Sequence, residues 1–307
     1  MMDKFLVVIA GPTASGKTTA AIRIAQALGT VIISADSRQF YKELPIGTAA
    51  PTKEEQSAVR HYMIHNLSVN EKYDVADYEK DVLLLLRKLF LEHDVVVMTG
   101  GSGLFIDAVC NGLDSIPDIS DANRKLVNDL YVNGGLIALQ NEVERLDPEY
   151  YKIVDKKNPR RLQRAIEVCY QTNRPYSSFR NNKSKVRDFK IIKVALLRER
   201  NELISRINKR VEMMINEGLV EEARAMYPQR HLNSLNTVGY KELFEYFDGK
   251  VSLNDAIEQI KIDTRQYAKR QMTWLRKNND YEWFEYDKLD DMLAYIQTEV
   301  KKENGIR

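Results

Sequence analysis

An apolar, β-branched run, Phe5–Ala10, leads directly into Gly11, Pro12, Thr13, Ala14, Ser15, Gly16, Lys17 and Thr18, which satisfy the pattern G-x-x-x-x-G-K-[ST]. Residues 19–28 follow as an alanine-rich helical stretch that ends at Gly29. A buried strand, a glycine loop and a helix in that order turn the pattern into a phosphate cradle. Loop N–H groups converge on oxyanions, Lys17 adds a mobile charge, and Thr18 offers its hydroxyl to Mg²⁺. The segment therefore predicts a diphosphate or triphosphate ligand. Most proteins with such a loop use ATP or GTP.

Three further apolar runs read as parallel strands: residues 31–35, 95–98 and 191–197. Helical stretches separate them, which predicts an α/β fold with right-handed crossovers. Residues 78–93 form one such helix, with Val82, Leu85, Leu86 and Leu89 on a single face. Between the third and fourth runs the character changes. A turn-rich segment at 114–121 opens a stretch of short helices that closes on the polar, basic run 180–187. The expected fold is a P-loop-type parallel sheet core flanked by helices, with a helical insertion domain and a helical C-terminal region. The first part of the core spans 1–113, the insertion 114–187, and the rest of the core with the C-terminal helices 188–307. From Arg200 onward the chain reads as helix almost to its end.

A length of 307 residues accommodates about two domains. The formal net charge of +2 means that any nucleic-acid surface must come from local clustering. Two cysteines, Cys110 and Cys169, exclude a disulfide framework and a cysteine-rich zinc module, and fit a reducing cytosol. No apolar run approaches the roughly 18–20 residues that cross a bilayer. The N-terminus does not look like a signal peptide, so a soluble cytoplasmic protein is expected.

In an open parallel sheet, ligands bind beyond the carboxyl ends of the strands. Three polar clusters fall there: the phosphate loop, Ser34 to Tyr41 after the second strand, and Thr99 to Phe105 after the third. The topology thus gathers Lys17, Asp36 and Ser102 towards one crevice. Asp36, a carboxylate at a strand end beside a phosphate site, reads either as a general base or as an outer-sphere Mg²⁺ ligand or helix cap. Ser102 lies between Gly101 and Gly103, where backbone approaches a ligand closely or simply turns into a helix. The third strand runs into Thr-Gly-Gly rather than ending in the Asp of many P-loop ATPases, which weakens the motor and GTPase readings.

Two basic stretches complete the pattern. Lys156, Lys157, Arg160, Arg161 and Arg164 crowd around Pro159, a good helix start that sets Arg160 and Arg164 on one face. Lys261, Arg265, Lys269 and Arg276 form a basic stripe on a later helix, with Ile260, Tyr267, Trp274 and Leu275 turned to the core. Each stretch alone reads equally as a solvated face; with a phosphate site they favour a polyanionic substrate. Phe40 and Tyr41 have a stacking role on an unpaired base or a core role as alternatives. His61, His65, His93 and His231 show no metal-ligand spacing.

Residues 11–18, Ala35-Asp36-Ser37-Arg38-Gln39-Phe40-Tyr41, residues 46–50 and residues 100–105 resemble the tRNA dimethylallyltransferases. So do residues 160–167, 218–222, 238–242 and 264–274, in the family's order and across nearly the whole chain. The resemblance implies transfer of a dimethylallyl group from its diphosphate to N6 of the tRNA adenosine 3′-adjacent to the anticodon (position 37). The phosphate loop would then hold the diphosphate of the prenyl donor. Asp36 would act as base, Lys17 and Mg²⁺ (with Thr18 as a ligand) would stabilise the leaving oxygens, and Ser102 would stand near the bridging oxygen or the Mg²⁺ shell. Ser102 replaces the family's usual Thr, and Phe105 a common Tyr. The target base must leave the anticodon stack. Contacts to tRNA are implied for Asp36, Ser37, Arg38, Gln39, Ser102, Arg124, Arg160, Arg161, Leu162, Gln163 and Arg164. Arg210 and Arg265 are further candidates for diphosphate or tRNA contact. In the family the helical insertion swings over the tRNA. A monomer is expected. The alternatives are a small-molecule P-loop kinase using ATP, a non-catalytic RNA-binding P-loop protein, and an enzyme that prenylates free adenine nucleotides.

Overall fold

The computed structural model describes residues 3–180, 184–303 and 305. Residues 181–183 of the expected basic run lie outside the described residues, as do the first two positions and 304, 306 and 307. The chain divides into two compact units, residues 1–110 with 187–307, and residues 111–186.

The first unit is built on one six-stranded sheet. Its strands are β1 (Phe5–Ala10), β2 (Ile32–Ser34), β3 (His61–Tyr62), β4 (Val95–Gly100), β5 (Lys190–Leu197) and β6 (Glu282–Glu285), in the order β3-β2-β4-β1-β5-β6. All neighbours pair in parallel. The expected strands are present, together with two that the sequence did not announce. β3 has only two residues, and β6 exposes Glu282 and Glu285 at the sheet edge, so neither carries a long apolar run. β6 also corrects the expectation of continuous helix after Arg200.

Helices cover both faces. They are α1 (Lys17–Ala27), α2 (Lys53–Ala58), α3 (Val75–Leu89) and α4 (Gly103–Asn111) in the first half. Side chains alternate strictly along β1. Leu6, Val8 and Ala10 join α3 and α4 in one core, while Phe5, Val7 and Ile9 join α1 in the other. Burial on both faces explains why the strand reads as a continuous apolar run. α3 starts three residues before the expected Tyr78. Asp74 caps it, accepting from Ala76 N at 2.7 Å and Asp77 N at 3.1 Å, while Asp77 reaches back to Asp74 N at 3.0 Å. Such a reciprocal cap contributes about 1 kcal/mol.

The second unit holds α5 (Asp121–Leu146), α6 (Pro148–Ile153) and α7 (Pro159–Thr172). In place of short helices, α5 is a long element broken at Gly135, where φ is 62°. Val127 before the break and Leu139 and Val143 after it enter the same core as Leu162, Ala165 and Ile166 of α7. Asp147 is buried at the turn, accepting from Tyr150 N at 3.0 Å and from Ser177 N at 2.6 Å. The unit boundaries differ from the expected 114–187. Arg187 belongs to the first unit, because its guanidinium pairs with Glu79 at 2.8 Å and donates to the carbonyls of Val109 and Ala108.

The rest of the first unit comprises α8 (Arg200–Asn216), α9 (Leu219–Met226), α10 (Tyr240–Phe247), α11 (Leu253–Lys277) and α12 (Leu289–Glu303). α8 to α11 share a third core around Val211, Leu219, Tyr240, Leu243 and Ile260. α12 adds Met292 and Ile296 to the core beneath α1. No helix among the described residues is long and apolar enough to cross a membrane.

Candidate active site

Strand register places the three polar clusters side by side. Ala10 pairs with Gly100, and Ser34 with Thr99, so the loops that follow β1, β2 and β4 leave the sheet together. Between them lies a cavity of about 790 Å³, lined by Thr13, Lys17, Thr18, Asp36, Arg210 and Tyr267 among others.

The phosphate loop is braced from outside by arginines. Arg198 donates to Ser15 O at 3.2 Å, Arg206 to Ala14 O at 2.9 Å, and Arg210 to Thr13 Oγ1 at 3.4 Å. Ala14 is held at φ 63°, a left-handed conformation that costs a non-glycine residue about 1–3 kcal/mol. Lys17 Nζ donates to Pro12 O at 2.8 Å. Burial and the neighbouring Arg210 charge push its pKa down to about 8, against the pull of Asp36. Ser15 Oγ is buried in the loop with no hydrogen-bond partner among the described residues.

Gln271 of α11 ties two of the loops together. Its Oε1 accepts from Thr13 N at 2.8 Å, and its Nε2 donates to Gly101 O at 2.9 Å. Any side chain at Gly101 would start 2.0 Å from that amide nitrogen, which is why glycine stands there. Ser102 joins the β4 loop to the β2 loop: its Oγ accepts from Ser37 N at 3.0 Å and lies 3.2 Å from Ser37 Oγ.

Asp36 Oδ1 accepts from Arg38 N at 3.0 Å. Burial raises its pKa, opposed by that N–H and by the Lys17 and Arg38 charges. The cavity thus holds a carboxylate of raised pKa with a lysine of lowered pKa, groups chemically able to accept a proton and to meet an anion. The hydroxyl of Thr18 and the carboxylate of Asp36 are hard oxygen donors, and no cluster of three or more His, Cys, Asp or Glu among the described residues could hold a metal by itself. That donor set fits Mg²⁺, which keeps water and takes phosphate oxygens to complete its shell.

The family model described as IPP transferase matches residues 39–278, most of the chain. The chain belongs to the IPP transferase family. It is 49% identical over 301 residues to tRNA dimethylallyltransferase 1 of Bacteroides fragilis (strain YCH46), covering 98% of this chain and 100% of that one. The tRNA dimethylallyltransferase of Christiangramia forsetii (strain DSM 17595 / CGMCC 1.15422 / KT0803) is also 49% identical, over 300 residues, with 97% and 99% coverage. The crystal structure of the full-length tRNA isopentenylpyrophosphate transferase from Bacillus halodurans matches with a TM-score of 0.73 at 32% identity, over 99% of each chain. Membership of the IPP transferase family does not support the kinase alternative.

Within this IPP transferase fold, Lys17, Thr18, Asp36 and Arg210 share the cavity. Other expected site residues are already engaged. The Arg38 guanidinium donates to the carbonyls of Asn233 and Ser234, and Gln39 Nε2 to those of Thr48 and Ala49. Arg265 bonds Asn208 Oδ1 at 2.8 Å, and Lys261 pairs with Glu212 and Glu258. The basic stripe on α11 is therefore reduced to Lys269 and Arg276, which stay exposed. Phe40 and Tyr41 are buried, so the stacking alternative falls; Phe40 packs against Tyr73, Tyr78 and Phe105.

In the helical unit, Arg124, Arg160 and Arg161 are exposed, Gln163 is half-buried, and Arg164 lies 3.7 Å from Glu167. Leu162 is fully buried among Val127, Leu139 and Ile166, which corrects its place among RNA contacts: an apolar side chain in a core has no surface to offer. Sequence reasoning missed Gln271, Arg198 and Arg206, and assigned Tyr267 to the core although it lines the cavity. Tyr267 and Gln271 stand four residues apart, hence on one face of α11. That spacing was the available signal.

Proposed function

We propose that this chain transfers a dimethylallyl group from dimethylallyl diphosphate to N6 of the tRNA adenosine 3′-adjacent to the anticodon, position 37, releasing diphosphate. The observation that carries the proposal is Lys17 and Asp36 in one cavity, close enough for each to move the other's pKa, in a chain of the IPP transferase family. An adenine amino group is a weak nucleophile because its lone pair is conjugated with the ring. It needs a base as the C–N bond forms, and Asp36, with its raised pKa, is suited to take that proton. The C–O bond of the donor breaks with its electron pair leaving on the diphosphate. Lys17, Arg210 and the loop N–H groups face that growing negative charge. Thr18 is the residue that would hold Mg²⁺; the ion, when bound, supplies further positive charge beside the diphosphate oxygens. Arg124, Arg160, Arg161 and Arg164 are offered as contacts to tRNA phosphates, which position RNA without reading its sequence. The enzyme is read as a monomer of the cytoplasm, a state that sedimentation analysis would check.

The direct test is incubation with labelled dimethylallyl diphosphate, unmodified tRNA and Mg²⁺, followed by nucleoside analysis. Labelled N6-dimethylallyladenosine is expected, and none from folded protein would sink the proposal. The Asp36→Ala variant should lose turnover by at least about a hundred-fold while still binding tRNA. Near-normal turnover would remove Asp36 from the role of base.

A further inference from the structure

Transfer to an adenine amino group involves two N–H bonds, and the roles proposed above account for one. One proton must leave as the C–N bond forms, and the other stays on the secondary amine of the product. A buried N–H without an acceptor is unfavourable, because it has given up its hydrogen bond to water. The polar side chains around Asp36 are mostly committed. Gln271 uses its oxygen on Thr13 N and its nitrogen on Gly101 O. Gln39 accepts from Ser34 Oγ at 2.9 Å and donates to the carbonyls of Thr48 and Ala49. Ser102 Oγ accepts from Ser37 N and bonds Ser37 Oγ, and it interacts with Tyr267. A hydroxyl has one proton and two lone pairs, so these contacts leave it little capacity for a further partner.

Tyr267 differs from these. It lines the main cavity with Lys17 and Asp36, and also an adjoining cavity of about 110 Å³ shared with Thr13 and Asp36. Its hydroxyl interacts with the Ser102 side chain and lies within the field of the Asp36 carboxylate. Burial and that carboxylate push its pKa up to about 12, so it stays a neutral phenol. Whichever way the hydroxyl protons run between Ser102 and Tyr267, the phenol oxygen keeps a lone pair for the cavity.

We propose that Tyr267 is a further catalytic residue, whose phenol oxygen accepts the amino N–H of the target adenine that is not transferred to Asp36. The proposal rests on the dimethylallyl-transfer reading above. The two acceptors would fix the amino group between them: the proton facing Asp36 leaves, the proton facing Tyr267 remains, and the nitrogen lone pair is aimed at the allylic carbon. Diphosphate departs with the C–O electron pair, so the step balances without any further reactant. Ser102 then acts through Tyr267, by holding its hydroxyl in place.

The test uses Tyr267→Phe, which keeps the ring and removes only the oxygen, in the full chain. Thermal melting establishes that the variant is folded. Two readouts follow: kcat with the donor and a tRNA anticodon stem-loop, and the affinity ratio between stem-loops carrying adenosine or purine riboside at the target position. Purine riboside lacks the amino group altogether. The variant should lose roughly ten-fold in kcat with KM for the donor within two-fold, because one hydrogen bond is missing from the reacting atom. Its preference for adenosine over purine riboside should also shrink by several-fold relative to wild type. An unchanged kcat overturns the proposal. So does a lower kcat with an unchanged affinity ratio, because the hydroxyl would then serve only to brace Ser102. A wild-type enzyme that makes no product fails the transfer reading itself, an outcome distinct from either of these.

Discussion

A single buried amide does more to assemble this site than the residues expected to react in it. Gln271 satisfies a backbone N–H of the phosphate loop with one end and a backbone carbonyl of the β4 loop with the other. Replacing it with Leu leaves both groups unpaired in a buried setting, so Gln271→Leu should destabilise the chain by about 1–3 kcal/mol per group. Urea denaturation measures that loss, and the donor KM should rise with it. A second residue-scale expectation concerns Glu242, which is buried at the start of α10 and accepts from Gly239 N at 2.7 Å. Burial raises its pKa, and the neighbouring Asp263 pushes the same way, against the nearby Lys241 charge. A carboxyl with a raised folded-state pKa holds its proton where the unfolded chain has lost it. Its stabilising contribution is complete below the ordinary carboxylate range and is lost as pH rises towards neutrality. Glu242→Gln stays uncharged, so its melting temperature should gain on wild type between about pH 5 and about pH 8. A constant difference across that range would contradict the assignment.

At the scale of elements, the turn over residues 45–51 forms one wall of the cavity and is clamped from both sides. From within, Gln39 holds the carbonyls of Thr48 and Ala49. From outside, Glu222 of α9 accepts from Ile46 N and Gly47 N, each at 2.9 Å, and from the Tyr240 hydroxyl at 2.5 Å. A Cβ on Gly47 would sit 2.5 Å from that hydroxyl and 2.6 Å from the ring. Gly47→Ala should therefore cost about 1–3 kcal/mol in thermal or urea unfolding, as overpacking against a rigid ring does. Elements with a long apolar period were legible in the sequence: β1, β4, β5 and α3 all stand close to where their patterns place them. β3 and β6 were not, because a short strand at a sheet edge draws its stability from one neighbour and needs no apolar run. α5 was misjudged as short helices because the break at Gly135 interrupts the helical period while both arms feed one core.

For the whole molecule, the two units divide the chemical requirements of the proposed reaction. The sheet unit holds the phosphate loop and Asp36, and the helical unit carries exposed Arg160 and Arg161 on α7. Arg160→Ala combined with Arg161→Ala should weaken tRNA binding and flatten its dependence on salt. Each phosphate contact removed should lower the log–log slope by about 0.7–0.9. An unchanged slope would show that this face does not meet RNA. The same two variants should leave the melting temperature almost unaltered, since both side chains are exposed.

The phosphate loop was determined by the sequence alone, because its chemistry depends on residues adjacent in the chain, and a strand, a glycine loop and a helix signal themselves locally. Asp36 and Ser102 were likewise legible, because a parallel sheet sends every strand end to the same edge. Only the tertiary structure decided which polar groups were already spoken for. Leu162 went to a core, Lys261 and Arg265 to partners on α8, and Tyr267 to the cavity, since pairing and burial depend on which helix faces which, and no spacing along the chain records that. The loop that predicts a phosphate is local. The second acceptor proposed for the adenine amine comes from a helix some 250 residues further on, and folding alone brings it there.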